Sequence, residues 1–306
     1  MTDLFVKSAD VEIAVRDHGG DGPPVLLLHG AGGNLLAWEG FAPLLTERHR
    51  VLAVDLRGHG LSGDGPWSWA AVLDDLDAVV DQLDLPRPAV VGHSLGGMLA
   101  AMWAVRHPDC PAAISLDGHR AAATHPDNYA DLPRDRVEEQ LAQLREVFAV
   151  QIPAAAQPMD DDQVAALLEQ QRAFAAHQGI DPQLWVESTR RSLIVHNGQT
   201  WRRPGAPVLE FLHGAPEFAD ALPVFRQVPG PFLLVLATRL AGFPPQFDDL
   251  MRALHAGLRR DLADLTAQHP TAVVRELDAS HGMVFEKPAE VAAIVLDFLH
   301  QQPAAA

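Results

Sequence analysis

Short, almost continuous apolar runs constrain this chain most. They are Val25-Leu26-Leu27-Leu28, Val51-Leu52-Ala53-Val54, Pro88-Ala89-Val90-Val91 and Ala112-Ala113-Ile114-Ser115-Leu116. Successive residues of a strand face opposite sides of a sheet, so a strand apolar throughout must be covered on both faces. The stretches between them, 35–47, 69–83 and 95–107, carry apolar residues at helical spacing, as in Val72, Leu73, Leu76, Val79 and Val80. Strand alternating with helix predicts right-handed crossovers and an open parallel sheet with helices on both faces. Leu4 and Val6, then Val11, Ile13 and Val15, predict a strand pair turned near 8–10. This gives one antiparallel strand near the N-terminus, with a Gly-rich turn over 18–24.

After Leu116 the alternation stops. From 119 to 228 the sequence reads as helices without a convincing strand; 134–149 and 161–177 are amphipathic. Asp160-Asp161-Asp162 reads as a solvated helix start, and Asp181-Pro182 as an N-cap followed by a first-turn proline. Strand and helix resume over 231–237, 246–268 and 271–277. A last helix covers 289–299 and a frayed tail 301–306. The expected organisation is one sheet domain, 1–118 with 229–306, carrying a helical insertion, 119–228.

Composition narrows the function. With 306 residues, 48% hydrophobic and 21% charged, the chain can build a large core. Its formal net charge of -17 excludes nucleic acid and anionic membranes as natural partners. Cys110 is the single cysteine, so neither an internal disulfide nor a cysteine-rich zinc site can form, and its position beside prolines predicts a buried thiol. The first twenty residues lack the basic and apolar regions of a signal peptide, and no apolar run reaches the ~18 residues of a membrane span. A soluble cytoplasmic protein is expected. Lys7 and Lys287 are the only lysines beside abundant Arg and Ala, a bias of GC-rich bacterial genomes.

Gly92-His93-Ser94-Leu95-Gly96-Gly97 lies between the strand at 88–91 and the helix at 95–107. The form is G-x-S-x-G, in which a sharp strand-to-helix turn holds a serine hydroxyl out above the sheet. Glycines are required because a Cβ would clash in so tight a turn. The following helix points its first N–H groups at the site, favouring developing negative charge.

With these residues the chain resembles the α/β-hydrolase superfamily, in its serine esterase-like branch, over nearly its full length. Three further motifs agree. His29-Gly30-Ala31-Gly32-Gly33 resembles the oxyanion loop, Asp55-Leu56-Arg57-Gly58-His59-Gly60-Leu61-Ser62 the D-x-R-G-x-G-x-S turn, and Ala279-Ser280-His281-Gly282-Met283 with Glu286-Lys287-Pro288 the terminal histidine segment. The resemblance implies a mostly parallel central sheet flanked by helices, with a helical cap inserted before the last two strands. It implies Ser94 as nucleophile, His281 as base, and the backbone N–H groups of Ala31 and Leu95 as oxyanion donors. The triad acid is most often found after the strand at 231–237, but Thr238-Arg239-Leu240-Ala241-Gly242 offers no carboxylate there. Some members place it after the preceding strand, where Asp117 stands before Gly118. Asp248 and Asp249, although they read as a helix start, are one alternative, and a site without a triad acid is the other. His29, Gly30, His93 and His119 are the remaining candidates to line the substrate pocket, with His29 also suited to orienting the oxyanion loop. Asp55 and Arg57 are expected to pair and brace their turn.

Serine as nucleophile suits acyl transfer through an acyl-enzyme, whereas epoxide and haloalkane hydrolysis on this fold use an aspartate. Carboxylic esters, lactones and thioesters all fit, and carbon–carbon hydrolysis, acyltransfer or a non-hydrolytic ligand-binding or biosynthetic role are the alternatives. Phe148, Leu167, Leu168, Phe174, Trp185 and Leu193 predict a hydrophobic wall over the carboxyl ends of the strands and a medium-sized, rather apolar small-molecule substrate of acyl or polyketide-like type. No P-loop, H-E-x-x-H or G-x-G-x-x-G occurs, so no cofactor and no metal are implied. A monomer or homodimer is expected.

Overall fold

The computed structural model describes residues 2–240 and 243–302. Its central strands are β1 (Leu4–Ser8), β2 (Val11–Gly19), β3 (Pro24–Leu28), β4 (Arg50–Val54), β5 (Ala89–His93), β6 (Ala113–Leu116), β9 (Phe232–Ala237) and β10 (Ala272–Leu277). They form one eight-stranded sheet in the order β1-β2-β4-β3-β5-β6-β9-β10. Only β2 runs against the rest: it pairs antiparallel with both β1 and β4, and every other pairing is parallel.

The inner strands explain why the apolar runs are unbroken. Leu26, Leu28, Leu52, Val54, Leu234 and Leu236 enter one buried cluster with helices α1 (Trp69–Gln82) and α2 (Leu95–Arg106). Val25, Leu27, Val51, Ala53, Leu233 and Val235 enter a second cluster on the opposite face, with α11 (Met283–Glu286) and α12 (Pro288–His300). Each strand therefore feeds two cores at period two. Truncating any of these leucines to alanine would cost roughly 2–5 kcal/mol.

Between β6 and β9 lie α3 (Arg134–Ala149), α4 (Gln151–Ala155), α5 (Asp161–Gln178), α6 (Pro182–Arg191), α7 (Ala206–Gly214), α8 (Pro216–Ala219) and α9 (Leu222–Phe225). Asp160 caps α5 through a reciprocal bond with Gln163, and the Asp181 carboxylate accepts the first amides of α6. After β9 comes α10 (Asp248–Gln268), whose first turn holds Asp248 and Asp249. A third cluster packs α3 against the start of α10 through Val137, Leu141, Leu144, Phe247 and Leu250. Among the described residues no helix is long and apolar enough to cross a membrane. Pro303 and the residues after it, the greater part of the expected tail, lie outside the described residues.

Three expectations are corrected. The helix over 35–47 is replaced by two 3-10 turns, Leu35–Trp38 and Ala42–Leu44. Pro43 lacks the amide a continuous helix would need, and its ring collides with the carbonyl four residues back. The insertion contains a hairpin, β7 (Leu193–His196) and β8 (Gln199–Arg202), paired only with each other within their sheet. Its Asn197-Gly198 turn has φ of 52 and 73, the doubly positive geometry that Asn-Gly supplies in two-residue hairpins. Finally, Asp55 and Arg57 do not pair. Arg57 grips both oxygens of Asp75 in α1 at 2.6 Å, a fork-on-carboxylate fit, while Asp55 accepts the Leu35 and Leu61 amides.

Candidate active site

Ser94 occupies the turn between β5 and α2 with φ 53 and ψ −117, a region L side chains rarely enter. The glycines permit the turn: a Cβ on Gly92 would lie 1.9 Å from the Gly96 carbonyl oxygen. The Ser94 amide donates to Leu116 O at 3.0 Å, which ties the elbow to β6. The Ser94 side chain caps no amide of α2, and no hydrogen bond reaches its hydroxyl among the described residues.

Asp117 follows β6 and has φ 53, so nucleophile candidate and acid candidate are both held in left-handed backbone. Its amide donates to Val235 O at 2.8 Å. Gly118 must be a glycine, because a Cβ there would meet Ser94 O at 2.0 Å. The buried Asp117 carboxylate is fully engaged. Oδ2 accepts His281 Nδ1 at 2.7 Å, and Oδ1 accepts the Ala237 amide at 2.8 Å and His119 Nε2 at 3.2 Å. Burial alone would raise its pKa, but the His119 and His281 bonds outweigh it and hold the carboxyl well below the usual range. Asp117 therefore stays ionised across the working pH range. Ala237 ends β9, the place where an acid was missing from the sequence; a backbone amide there holds the acid of the neighbouring strand. Asp249 instead pairs with Arg252 on the surface of α10.

His281 sits in the loop after β10 with its side chain half exposed. Two partners fix that loop. Glu286 accepts the Ser280 amide at 2.7 Å and pairs with Arg239. His93 Nε2 lies 2.7 Å from the His281 carbonyl oxygen, with the two rings 4.9 Å apart. His93 is buried and its pKa is pushed down to about 4 by burial, so the neutral ring donates that bond. His93 thus braces the base candidate from the residue next to Ser94.

His29 is fully buried, which pushes its pKa down to about 4. Nε2 accepts the Leu56 amide at 3.0 Å, so Nδ1 carries the proton and donates to Gly30 O at 2.8 Å. The same carbonyl accepts the Gly33 amide at 2.9 Å, closing the turn around Ala31. With both nitrogens occupied, His29 shapes this loop and has no group left for a ligand. The Ala31 amide donates to no backbone carbonyl among the described residues. The amide of Leu95, the first residue of α2, has no intrahelical acceptor. Gly30 lies against the elbow: a Cβ there would come within 3.1 Å of Ser94 Cβ and 3.3 Å of His93 Nδ1.

The insertion is bolted to this end of the sheet. Arg191 of α6 donates to Asp55 Oδ2 at 2.9 Å and to Asp3 Oδ2 at 2.6 Å. Asn34 donates to Ser188 O at 2.7 Å and Ser192 Oγ at 2.9 Å, and Arg203 donates to Gly60 O at 2.9 Å. Asp55 and Gly60 stand in a motif the sequence shows, but Arg191, Arg203, Asn34, Ser188, Ser192 and Asp3 do not, because no local pattern marks a bond between distant residues. Trp185 of α6 packs edge-on to Phe285 at 5.0 Å, with Phe174 beyond it at 5.7 Å, giving an apolar wall four residues from His281. Cys110 is buried and its thiol is pushed up to about 12 by burial. Among the described residues no group of three or more His, Cys, Asp or Glu is arranged to hold a metal ion.

A family model described as the alpha/beta hydrolase fold matches residues 23–210. The chain belongs to the α/β-hydrolase family. An uncharacterised protein of Mycobacterium tuberculosis is 42% identical to this α/β-hydrolase over 92 residues, 29% of this chain and 27% of the relative. A pimeloyl-(acyl-carrier protein) methyl ester esterase of Chromobacterium violaceum is 44% identical over 100 residues, 32% of this chain and 37% of that protein. The chain therefore spans between 27% and 37% of the length of these curated relatives. The solved structure of E-2-(acetamidomethylene)succinate hydrolase aligns with a TM-score of 0.66 at 20% identity, covering 98% of this chain and 99% of that one. At that identity the match speaks for the fold.

Proposed function

We propose that this α/β-hydrolase is a serine hydrolase cleaving an ester-type small molecule (a carboxylic ester, lactone or thioester) through an acyl-enzyme. The observation that carries the reading is the His281–Asp117 bond of 2.7 Å beside the strained Ser94 elbow. His281 Nδ1–H donates to Asp117, which leaves Nε2 unprotonated for the serine proton. Ser94 Oγ attacks the acyl carbon as Nε2 takes its proton. The oxyanion accepts the Ala31 and Leu95 amides, each such donor being worth roughly 2.7–4 kcal/mol in the transition state. Collapse expels the alcohol or thiol, protonated by His281. A water molecule, deprotonated by the same Nε2, then releases the acid and restores Ser94.

In this reading the residues 119–228 form the cap. The Phe174, Trp185 and Phe285 wall supports an apolar acyl or alcohol group, and the family resemblance to an ester-cleaving relative points the same way. We assign the enzyme to the cytoplasm, acting on small molecules as a monomer or homodimer. The test uses the full chain with p-nitrophenyl butyrate and a serine-directed phosphonate. Turnover and covalent labelling in the wild type, both lost in Ser94→Ala, are the expected result. Labelling elsewhere, or ester turnover that survives in Ser94→Ala, overturns it.

A further inference from the structure

His119 is a buried histidine that an ester-hydrolysis triad does not require, yet it is bonded to the triad's acid. Its Nδ1 accepts the backbone amide of Arg120 at 2.7 Å. That lone pair is therefore taken, the ring is neutral, and the single ring proton must reside on Nε2. Nε2 lies 3.2 Å from Asp117 Oδ1, while His281 Nδ1 lies 2.7 Å from Asp117 Oδ2. One carboxylate thus receives an imidazole N–H on each oxygen. The His119 tautomer is set by the chain itself, because the amide that dictates it belongs to the next residue.

We propose that His119 is a positioning residue of this active site, a neutral Nε2–H donor that holds Asp117 in plane toward His281 and draws electron density away from the carboxylate. The proposal deepens the serine-hydrolase reading and rests on it. Its chemical content is a division of labour. The Ala237 amide and His119 saturate Oδ1, so Oδ2 is the only acceptor directed at the base. A carboxylate that already accepts other donors is a weaker base, and it stabilises the imidazolium of His281 less than a freer carboxylate would. His119 therefore keeps His281 able to give its proton back to the leaving group, and keeps Asp117 from rotating.

The charged and titratable surroundings are defined. Arg120, the next residue, is neutralised by Asp220 and Asp261 at 2.9 and 2.6 Å. From α10, His255 lies within electrostatic range of His119 and Asp117, as well as of Arg259 of α10 and Glu276 of β10. Asp117 and His281 complete the set. Asp117 is the anion in direct contact with the His119 ring.

The experiment compares wild type, His119→Gln and His119→Phe. Gln keeps an N–H donor near the Nε2 position; Phe keeps the ring and removes both polar atoms. With p-nitrophenyl butyrate, His119→Phe is expected to lose about tenfold in kcat with KM little changed, since a hydrogen bond to a charged group is removed. The acid limb of its kcat/KM profile should move up by about 0.5–1 pH unit, because the freed carboxylate is more basic and raises the affinity of His281 for its proton. His119→Gln should return the limb to the wild-type position. A His119→Phe enzyme whose kcat falls while the limb stays put would reduce His119 to packing and overturn the proposal. The second measurement needs no substrate: the low-field proton NMR spectrum of the full chain, assigned with His281→Ala. His119→Phe should delete one slowly exchanging imidazole resonance and shift the His281 Nδ1 proton. An unmoved His281 resonance in a folded His119→Phe protein also overturns the proposal. If the wild type lacks Ser94-dependent turnover while these resonances behave as stated, the hydrolase reading fails and the His119–Asp117–His281 relay stands.

Discussion

Arg191, in the last turn of α6, holds its guanidinium Nε 2.9 Å from Oδ2 of Asp55 at the end of β4. Asp55 is fully buried and also accepts the amides of Leu35 and Leu61. One carboxylate thus joins the loop that carries Ala31, the turn after β4 and the insertion. Burial raises the Asp55 pKa even with Arg191 in place. Arg191→Ala strands that charge and should destabilise the fold by about 3–5 kcal/mol at pH 7. The deficit should shrink toward pH 5, where the stranded carboxyl takes up a proton. Urea unfolding at the two pH values decides it, and an equal deficit at both would count against the stranded charge.

Activity should divide the acids sharply. Asp117→Asn can present its amide N–H to His281 and favour the wrong tautomer, a change that lowers kcat by roughly 10⁴ in the template reaction. Asp248→Asn and Asp249→Asn lie in the first turn of α10 and should leave kcat within about twofold. His281→Ala should match Ser94→Ala, because members of such a unit fail together. A dead Asp249→Asn beside an active Asp117→Asn would reverse the assignment.

Acid should weaken the fold well above the carboxylate range. Burial pushes the pKa of His29 and His93 down to about 4 and that of His59 down to about 3. Unfolded, each returns to ~6.5, so between those values the unfolded chain binds more protons than the folded one. Stability is then complete above about pH 6.5 and falls as pH drops toward 4, by up to ~1.4 kcal/mol per pH unit for each ring. Asp55, with its raised pKa, titrates in the opposite sense and offsets part of the loss. Urea midpoints from pH 7.5 to 5 should decline steeply, and His59→Gln should flatten the slope. A level profile over that interval would falsify the account.

How much of this was legible depended on range along the chain. The inner strands were readable because a parallel strand buried on both faces leaves an unbroken apolar run, as Leu26-Leu27-Leu28 does. Ser94 was readable because its turn demands glycines at fixed offsets. Asp117 was readable only through the family resemblance, which allows an acid after the preceding strand; the adjacency of β6 and β9 that brings it to the His281 side is a property of the folded sheet. The helix expected over 35–47 failed at Pro43, a local breaker that periodic Leu35, Trp38 and Phe41 concealed. The hairpin at Asn197-Gly198 carried its own signal, Ile194-Val195 and Thr200-Trp201 around a two-residue turn, lost within a helical surrounding. Arg191 and Asp55 are 136 positions apart, and no sequence pattern encodes such a bond. The Ala237 amide leaves no trace either, since every residue but proline has one.

In the mechanism we propose, Ser94 sets folding and chemistry against each other at a single Cβ. Its left-handed φ is a conformation that suits glycine, and its hydroxyl caps no amide of α2 and makes no hydrogen bond among the described residues. Ser94→Gly should therefore raise the melting temperature, by a gain of about 1 kcal/mol, while abolishing turnover. Calorimetry of Ser94→Gly beside Ser94→Ala separates relief of strain from mere loss of the hydroxyl, because alanine keeps the Cβ. A screen that rewards thermal robustness alone would drift toward glycine at this position, and the sturdiest descendants of this protein would be inert.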